Sequence, residues 1–220
     1  RIDPQNAGME KIIVQCIAGV GPDLFDAYNG YQLSAYVRSE IAMDVTDELE
    51  ERGVDPDALW RCLLPLVQMD GRMYGHPDNA NARAVWYNKT LFDKLGVPYP
   101  EEDWTWEECI EISQKLTKRN ERGQITRYGI IGVWDWQLGL YQHHASVFNE
   151  ELTRCVLDSP EAVAAFQFMQ DLVHKHEVMP TGASEIALAS GGGWGKGPLS
   201  LFAAERGAMA IGGRWWLAIF

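Results

Sequence analysis

This chain of 220 residues has no long apolar run, no two cysteines close together in sequence and no excess of positive charge. No run of about 18 apolar residues occurs, so the sequence contains no candidate membrane-spanning helix. The four cysteines lie far apart and form no CxxC pair, which excludes the usual spacing of a structural zinc site. The formal net charge of -12 disfavours nucleic acid and anionic membrane surfaces as partners, because both bind a positive protein face.

Catalytic motifs are also missing. Neither a GxSxG elbow nor a Cys–His signature occurs. The segment 190–197, SGGGWGKG, superficially resembles a phosphate loop, but its first glycine is misplaced and Gly197 stands where a magnesium-binding Ser or Thr is needed. His174 and His176 are two positions apart on a predicted helix and would not share a metal ion. We therefore predict no metal, no cofactor and no catalytic residue.

What the chain does contain is typical of a globular protein. Hydrophobic residues make up 46% and charged residues 23%, and the length suits one large domain or two small ones. The cysteines, Cys16, Cys62, Cys109 and Cys155, are interpreted as small buried hydrophobic residues. A disulfide in an oxidising compartment is left open, because sequence alone does not pair cysteines.

Strand patterns alternate with helix patterns, which predicts an α/β fold with mixed sheets. Asn88 is predicted to cap a helix over 89–95, and Thr105-x-x-Glu108 is a capping box. A hairpin turn is expected at Asp70-Gly71, and a helix with Pro56 in its first turn is expected over 55–66.

Two further segments near the C-terminal end carry structural signals. Ser159-Pro160 is predicted to begin a helix, and the apolar residues expected in its buried face are Val163, Phe166, Met169, Leu172 and Val173. The stretch 181–198, rich in Gly and Ser, is predicted to be a surface loop.

Three short motifs follow one another in a distinctive order. Residues 70–77 read DGRMYGHP, residues 86–92 read WYNKTLF, and residues 105–108 read TWEE. In this order and spacing they resemble the bacterial extracellular solute-binding proteins of family 1, the sugar receptors of ABC importers. The segments 18–25, AGVGPDLF, and 202–215 are similar to other parts of the same family pattern.

The resemblance implies a type II periplasmic-binding-protein-like fold, with two lobes built on mixed sheets. Residues 1–82 would be part of the N-terminal lobe and residues 83–220 part of the C-terminal lobe. It implies a receptor outside the cytoplasmic membrane, periplasmic or extracellular, that binds a sugar or oligosaccharide and delivers it to a membrane permease. A lipid anchor, if any, would lie outside this chain. Family members are about twice as long, so we expect a fragment that is incomplete at both ends.

A sugar ring has apolar C–H faces and a rim of hydroxyl groups, so its site needs flat aromatic rings beside planar polar groups. Several loops at predicted strand ends have that chemistry. The candidate ligand-binding residues are Asp26, Tyr28, Asn81, Arg83, Trp134, Asp135, Trp136, Arg214 and Trp215.

Several of these assignments leave alternatives open. Trp215 is predicted to stack on the sugar, with core packing as the alternative, whereas Trp216 is predicted to lie in the core. We expect only one of Trp134 and Trp136 to reach the ligand. Asp135 either accepts sugar hydroxyls or is solvated, and Arg83 either binds sugar or forms a salt bridge across the hinge. A glycoside hydrolase and a scaffold domain without ligand remain the alternative functions.

Overall fold

The computed structural model of the protein describes residues 8–78, 80–132, 136–151, 153–188 and 197–218. The chain divides into two compact units, residues 1–80 (unit 1) and 81–220 (unit 2). The assignment of residues 1–82 and 83–220 to two lobes stays a prediction. No helix within the described ranges is long and apolar enough to span a bilayer.

Unit 1 is mainly helical. Its elements are α1 (Met9–Ile17), α2 (Gly30–Arg38), α3 (Thr46–Glu51), two 3₁₀ turns (Pro56–Ala58 and Arg61–Leu63), α4 (Leu64–Val67), β1 (Gln68–Met69) and β2 (Arg72–Met73). Its core contains the buried side chains of Ile12, Leu33 and Tyr36. The helix expected over 55–66 is wrong in part: Pro65 has no N–H to donate to residue 61, and two 3₁₀ turns precede α4 instead.

The hairpin prediction at Asp70-Gly71 is confirmed. Strands β1 and β2 pair antiparallel, with Met69 opposite Arg72. Asp70 and Gly71 have φ of 51° and 77°, the left-handed pair that a tight two-residue hairpin requires.

Unit 2 has a four-stranded mixed sheet with helices around it. Its elements are β3 (Arg83–Tyr87), α5 (Lys89–Leu95), α6 (Trp106–Leu116), β4 (Lys118–Arg119), β5 (Ile125–Ile131), α7 (Trp136–Gln142), α8 (Pro160–His174), α9 (Gly182–Leu188), α10 (Pro198–Ala203), β6 (Gly207–Gly213) and a 3₁₀ helix (Arg214–Ala218). The strand order is β3-β6-β5-β4. Strand β6 runs parallel to β5 and antiparallel to β3, and all seven of its residues are buried.

Alternate residues of β6 pack into two different hydrophobic clusters. Met209 and Ile211 lie in the larger cluster with residues of α5, α6 and α8, whereas Ala210 lies in a second cluster with Leu199 and Trp216. A strand buried on both faces is expected to be apolar along its length, and β6 (GAMAIGG) is.

The predicted helix caps are confirmed. The Asn88 side chain accepts from Leu91 N at 3.1 Å, and the Thr105–Glu108 capping box is complete. Ser159 accepts from Ala162 N at 3.3 Å, with Pro160 as the first helical residue.

The predicted buried face of α8 is only partly correct. Met169, Leu172 and Val173 are buried as expected, but Val163 and Phe166 are 56% and 38% exposed. In the first two turns, Ala162 and Ala165 face the core instead. Small side chains let α8 approach its neighbours closely there, and hydrophobicity alone did not reveal that preference.

Two other expectations are corrected. The stretch 181–198 is not simply a loop, because Gly182–Leu188 forms α9 and α10 begins at Pro198; residues 189–196 lie outside the described residues. All four cysteines are free thiols, and only Cys109 is buried, while Cys62 and Cys155 are exposed.

Candidate functional site

A cavity of about 250 Å³ opens in unit 2 at the edge of the sheet formed by the ends of its strands, not along a side strand. Strands β5 and β6 are parallel and end at this edge, and β3, antiparallel to β6, begins there. In open α/β sheets, the carboxyl edge of parallel strands is where ligands bind. The residues lining the cavity are Asn81, Arg83, Gly132, Pro198, Leu199, Ile211, Gly212, Gly213, Trp215 and Trp216.

Three glycines allow close packing at this edge, and two of them leave room for the tryptophans. A Cβ on Gly212 would lie 2.6 Å from Cε2 of Trp216, and a Cβ on Gly213 would lie 2.5 Å from Cδ1 of Trp215. Gly132 follows β5 with φ of 77°, and a Cβ there would lie 2.9 Å from the Ile211 carbonyl oxygen. The cavity therefore exists because backbone, rather than side chains, forms part of its wall.

Trp215 and Trp216 are adjacent in sequence but differ in environment. Both line the cavity, but Trp215 is 43% exposed, whereas Trp216 is 3% exposed and packs against Trp86 and Phe202. Their rings meet edge to face, with centroids 6.0 Å apart. The predicted core position of Trp216 is confirmed. Trp215 is held by its neighbour while part of its ring stays accessible.

Asn81 connects the beginning of β3 to the end of β6. Its side-chain oxygen accepts from the backbone N–H of Arg214 at 3.0 Å, and the same N–H donates to the Ala82 carbonyl at 3.1 Å. A backbone N–H can only donate, so the Asn81 oxygen faces it and the Nδ2 amino group lies on the other side of the amide. Arg83 lies directly opposite Gly213 in the antiparallel pairing.

The structure thus brings three of the predicted residues, Asn81, Arg83 and Trp215, to one cavity. Arg214 adjoins it through its backbone, but its exposed side chain is not among those lining the cavity.

Asp26 and Tyr28 lie in unit 1, where they contact each other. The Tyr28 hydroxyl donates to Asp26 Oδ2 at 3.2 Å. Partial burial, followed by the negative charge of Asp26, raises the pKa of the Tyr28 phenol. Their role in ligand binding stays a prediction.

Of the predicted Trp134–Asp135–Trp136 loop, Trp134 and Asp135 lie outside the described residues. Trp136, expected in a loop at the end of a strand, is the first residue of α7. Its ring stacks on Phe166 of α8, with centroids 6.4 Å apart and planes 25° apart, and it is 41% exposed. Trp136 is absent from the described lining of the cavity.

Sequence reasoning missed the apolar part of the lining. Pro198, Leu199 and Ile211 carry no signal that distinguishes them from ordinary core residues, because only the packing of α10 against β6 brings them together at this edge. The glycines did carry a signal. Consecutive glycines at the end of a buried strand indicate close approach by another group.

Within the described ranges, no group of three or more His, Cys, Asp or Glu side chains is arranged to hold a metal ion.

Comparison with known proteins identifies the family. The family described as bacterial extracellular solute-binding protein matches residues 2–219, almost the entire chain. The chain belongs to this family. The membership places this chain outside the cytoplasmic membrane, in the periplasm or the extracellular space.

Relatives and solved structures agree with this assignment. The chain is 29% identical, over 116 residues, to the arabinooligosaccharide-binding protein of Halalkalibacterium halodurans, a match covering 51% of the chain and 25% of that protein. The ABC substrate-binding protein Lmo0181 of Listeria monocytogenes, solved with cycloalternan, superposes with a TM-score of 0.78 at 27% identity, covering 100% of the chain and 54% of that structure.

A more distant structure shares the fold. The maltose/maltodextrin-binding domain MalE of Bdellovibrio bacteriovorus, bound to maltotriose, superposes with a TM-score of 0.68 at 19% identity, covering 94% of the chain and 50% of that domain. The chain therefore has the fold of type II periplasmic sugar-binding proteins and spans about half the length of these solved structures.

Proposed function

We propose that the chain is part of the substrate-binding component of an ABC importer, which binds a carbohydrate and delivers it to a membrane permease. The observation that carries the proposal is the cavity at the end of β5 and β6, with half-exposed Trp215 beside Asn81 and Arg83. An aromatic ring next to planar hydrogen-bonding groups suits the C–H face and hydroxyl rim of a sugar.

The relatives support this class of ligand. A protein 29% identical over half of the chain binds arabinooligosaccharide by its name, and a structure 27% identical holds cycloalternan. In the complete protein, sugar contacts made only in the closed form would shift the population of closed molecules. The permease would then recognise that closed form.

The proposal includes no chemistry on the sugar. A glycoside hydrolase needs two carboxylates flanking the scissile bond. The described residues that line the cavity include no Asp and no Glu. The relatives named above are binding proteins as well, which favours a receptor over an enzyme.

The test is a tryptophan-fluorescence titration of the chain with neutral mono- and oligosaccharides, with each mixture analysed for breakdown products. We expect a saturable change without products. Trp215→Ala is expected to weaken binding by about tenfold or more, because the stacking surface is lost.

Trp60→Ala is the matched control, because Trp60 is 68% exposed, belongs to unit 1 and is not among the lining residues. It removes one fluorophore and is expected to leave the affinity unchanged. Equal affinities for wild type and Trp215→Ala would show that Trp215 does not contribute to the site. Appearance of cleaved sugar would show that the protein is an enzyme and contradict the receptor function.

A further inference from the structure

Positive charge is concentrated in one segment of unit 2. Residues 115–127, KLTKRNERGQITR, contain five of the 19 basic residues of the chain and one acidic residue, an excess of four positive charges. The rest of the chain therefore carries a net charge of -16, against -12 for the whole. The segment runs from the last turn of α6 through β4 and a turn into β5, and we call it the basic hairpin.

Most of the charge of the basic hairpin is available to a partner. Three of its basic side chains are exposed and make no salt bridge within the described part of the chain: Lys115, Lys118 and Arg122. The other two have contacts, since Arg119 pairs with Glu177 at 2.5 Å and Arg127 donates from Nε to the Leu116 carbonyl oxygen at 3.0 Å.

Two cations of the basic hairpin face each other across the sheet. Lys118 and Arg127 are direct partners in the antiparallel pair of β4 with β5. Side chains at such positions lie on the same face of the sheet, and like charges there destabilise the pair. The pairing therefore raises the positive potential of this face at a cost in stability, which points to a use for the charge.

The turn of the basic hairpin holds Arg122 at its tip. The Asn120 side-chain oxygen accepts from the backbone N–H groups of Arg122 and Gln124, both at 3.0 Å, and Gly123 has φ of 76°. Arg119 also donates to the Gly123 carbonyl oxygen at 3.0 Å. The turn is thus ordered before any partner binds, which reduces the entropy lost on docking.

Protection of a sheet edge explains only part of this charge. Strand β4 is an outer strand of its sheet, and Lys or Arg on an edge strand opposes pairing with another chain. Lys115 lies in α6 and Arg122 lies in the turn, so neither is on the edge strand. The excess of positive charge therefore extends beyond what edge protection needs.

We propose that the basic hairpin docks the chain onto a bilayer surface that contains anionic phospholipids. Clusters of four or more Lys and Arg residues are attracted to such surfaces by their negative potential. The net charge of -16 on the rest of the chain opposes docking only weakly at physiological salt, because the Debye length there is about 8 Å. The family lies outside the cytoplasmic membrane, in compartments that membrane surfaces border.

The basic hairpin lies at the opposite end of the sheet from the cavity. The cavity is at the ends of β5 and β6, whereas the turn of the basic hairpin precedes β5. Strand β5 has seven residues, so about 20 Å separates its two ends. Docking through the basic hairpin would leave the cavity open, and the inference does not depend on the ligand of the cavity.

The test is co-sedimentation of the chain with vesicles of phosphatidylcholine alone and with vesicles of equal parts phosphatidylcholine and phosphatidylglycerol. At about 0.1 M salt we expect binding to the mixed vesicles only, and at about 1 M salt we expect none, because the Debye length falls to about 3 Å. Lys118→Gln combined with Arg122→Gln should lower the partition coefficient about 20-fold, since each basic residue near the surface contributes roughly fivefold.

Arg38→Gln combined with Arg52→Gln is the matched control. Both arginines are exposed and belong to unit 1, and the control has the same net charge as the hairpin variant. It is expected to bind the mixed vesicles as the wild type does. An equal loss of binding in the two variants would trace binding to net charge and overturn the assignment to the basic hairpin.

The remaining outcomes concern other roles for the basic hairpin. Equal or no binding to the two kinds of vesicle overturns the inference, and self-association of the wild-type chain at the same salt would then identify a second copy as the partner. A hairpin variant that binds vesicles like the wild type but sediments without them would assign the charge to edge protection alone. Sugar titration of both variants should give the wild-type result, because neither changes a residue that lines the cavity.

Discussion

The side-chain oxygen of Asn81 accepts a hydrogen bond from the backbone N–H of Arg214 at 3.0 Å, across 133 positions of the sequence. Asn81 lies two positions before the first residue of β3, and Arg214 immediately follows β6. The bond ties together the two ends of the β3–β6 pair that border the cavity. It also fixes which end of the Asn81 amide is left to face a ligand.

Gly213→Ala should damage the site without abolishing the fold. The new methyl group would overlap the Trp215 indole nitrogen and crowd Nδ2 of Asn81, so both groups must move. We expect carbohydrate affinity to fall by about tenfold or more, with a stability loss of about 1–3 kcal/mol from overpacking. Sugar titration and urea denaturation measure the two effects.

The control for Gly213→Ala is Gly182→Ala. Gly182 begins α9, and an added Cβ there would have no heavy atom within 4 Å. Its affinity and stability are expected to match those of the wild type. Normal affinity in Gly213→Ala would mean that neither crowded nitrogen contributes to binding.

Two substitutions on α8 test which face of that helix is buried. Leu172 is fully buried, so Leu172→Ala should lower the free energy of unfolding by about 2–5 kcal/mol through lost contacts and a cavity. Val163 is 56% exposed, and Val163→Ala should change the free energy by no more than about 0.5 kcal/mol. Urea denaturation measures both, and similar losses would contradict the orientation of α8.

The acid sensitivity of unit 1 is expected to involve Asp44. Its carboxylate accepts from the Thr46 hydroxyl at 2.6 Å and from Arg72 Nε at 2.5 Å, and these bonds, with the Thr46 hydroxyl first, lower the pKa of Asp44 from 3.8 to about 2. The folded pKa lies below the unfolded one. The stabilisation is therefore complete above pH 3.8 and is lost as the pH falls towards 2.

Carboxyl chemical shifts followed by NMR as a function of pH give the Asp44 pKa directly. Thr46→Ala should raise it most and Arg72→Gln should raise it less, in the order of their contributions. If the Asp44 pKa stays the same in both variants, these contacts are not formed in solution.

Thiol labelling should distinguish the cysteines. Cys109 is buried, and burial raises the pKa of its thiol to about 12, so a maleimide should not modify it in the folded chain at neutral pH. Cys62 and Cys155 are exposed and should react readily. Mass spectrometry of tryptic peptides, with a urea-unfolded sample as the positive control, reads out each site. Rapid modification of Cys109 in the folded chain would contradict its burial.

Local signals in the sequence predicted local structure well. Asn88, Thr105 with Glu108, and Ser159 cap the helices that follow them, because a cap depends on contacts within three or four positions. The Asp70-Gly71 turn has the same origin, since the left-handed conformation is a property of the two residues themselves.

Burial could be predicted less well. Val163 and Ala162 are adjacent on α8, and hydrophobicity favours the valine as the core residue, yet the alanine is buried. The neighbouring elements decide this, because close packing rewards fit as well as hydrophobicity. Burial of the cysteines also depends on the neighbouring elements. The same residue type is buried at position 109 and exposed at position 62.

The sequence by itself determined the family, the alternation of strands and helices, and the residue types that suit a sugar. The tertiary structure decided which candidates meet. Asn81, Arg83 and Trp215 line one cavity, whereas Trp136 packs on Phe166 and is not among the described lining residues. The physical reason is strand pairing. Residues 83 and 213 become neighbours only when β3 and β6 join, and no local pattern encodes a contact over that distance.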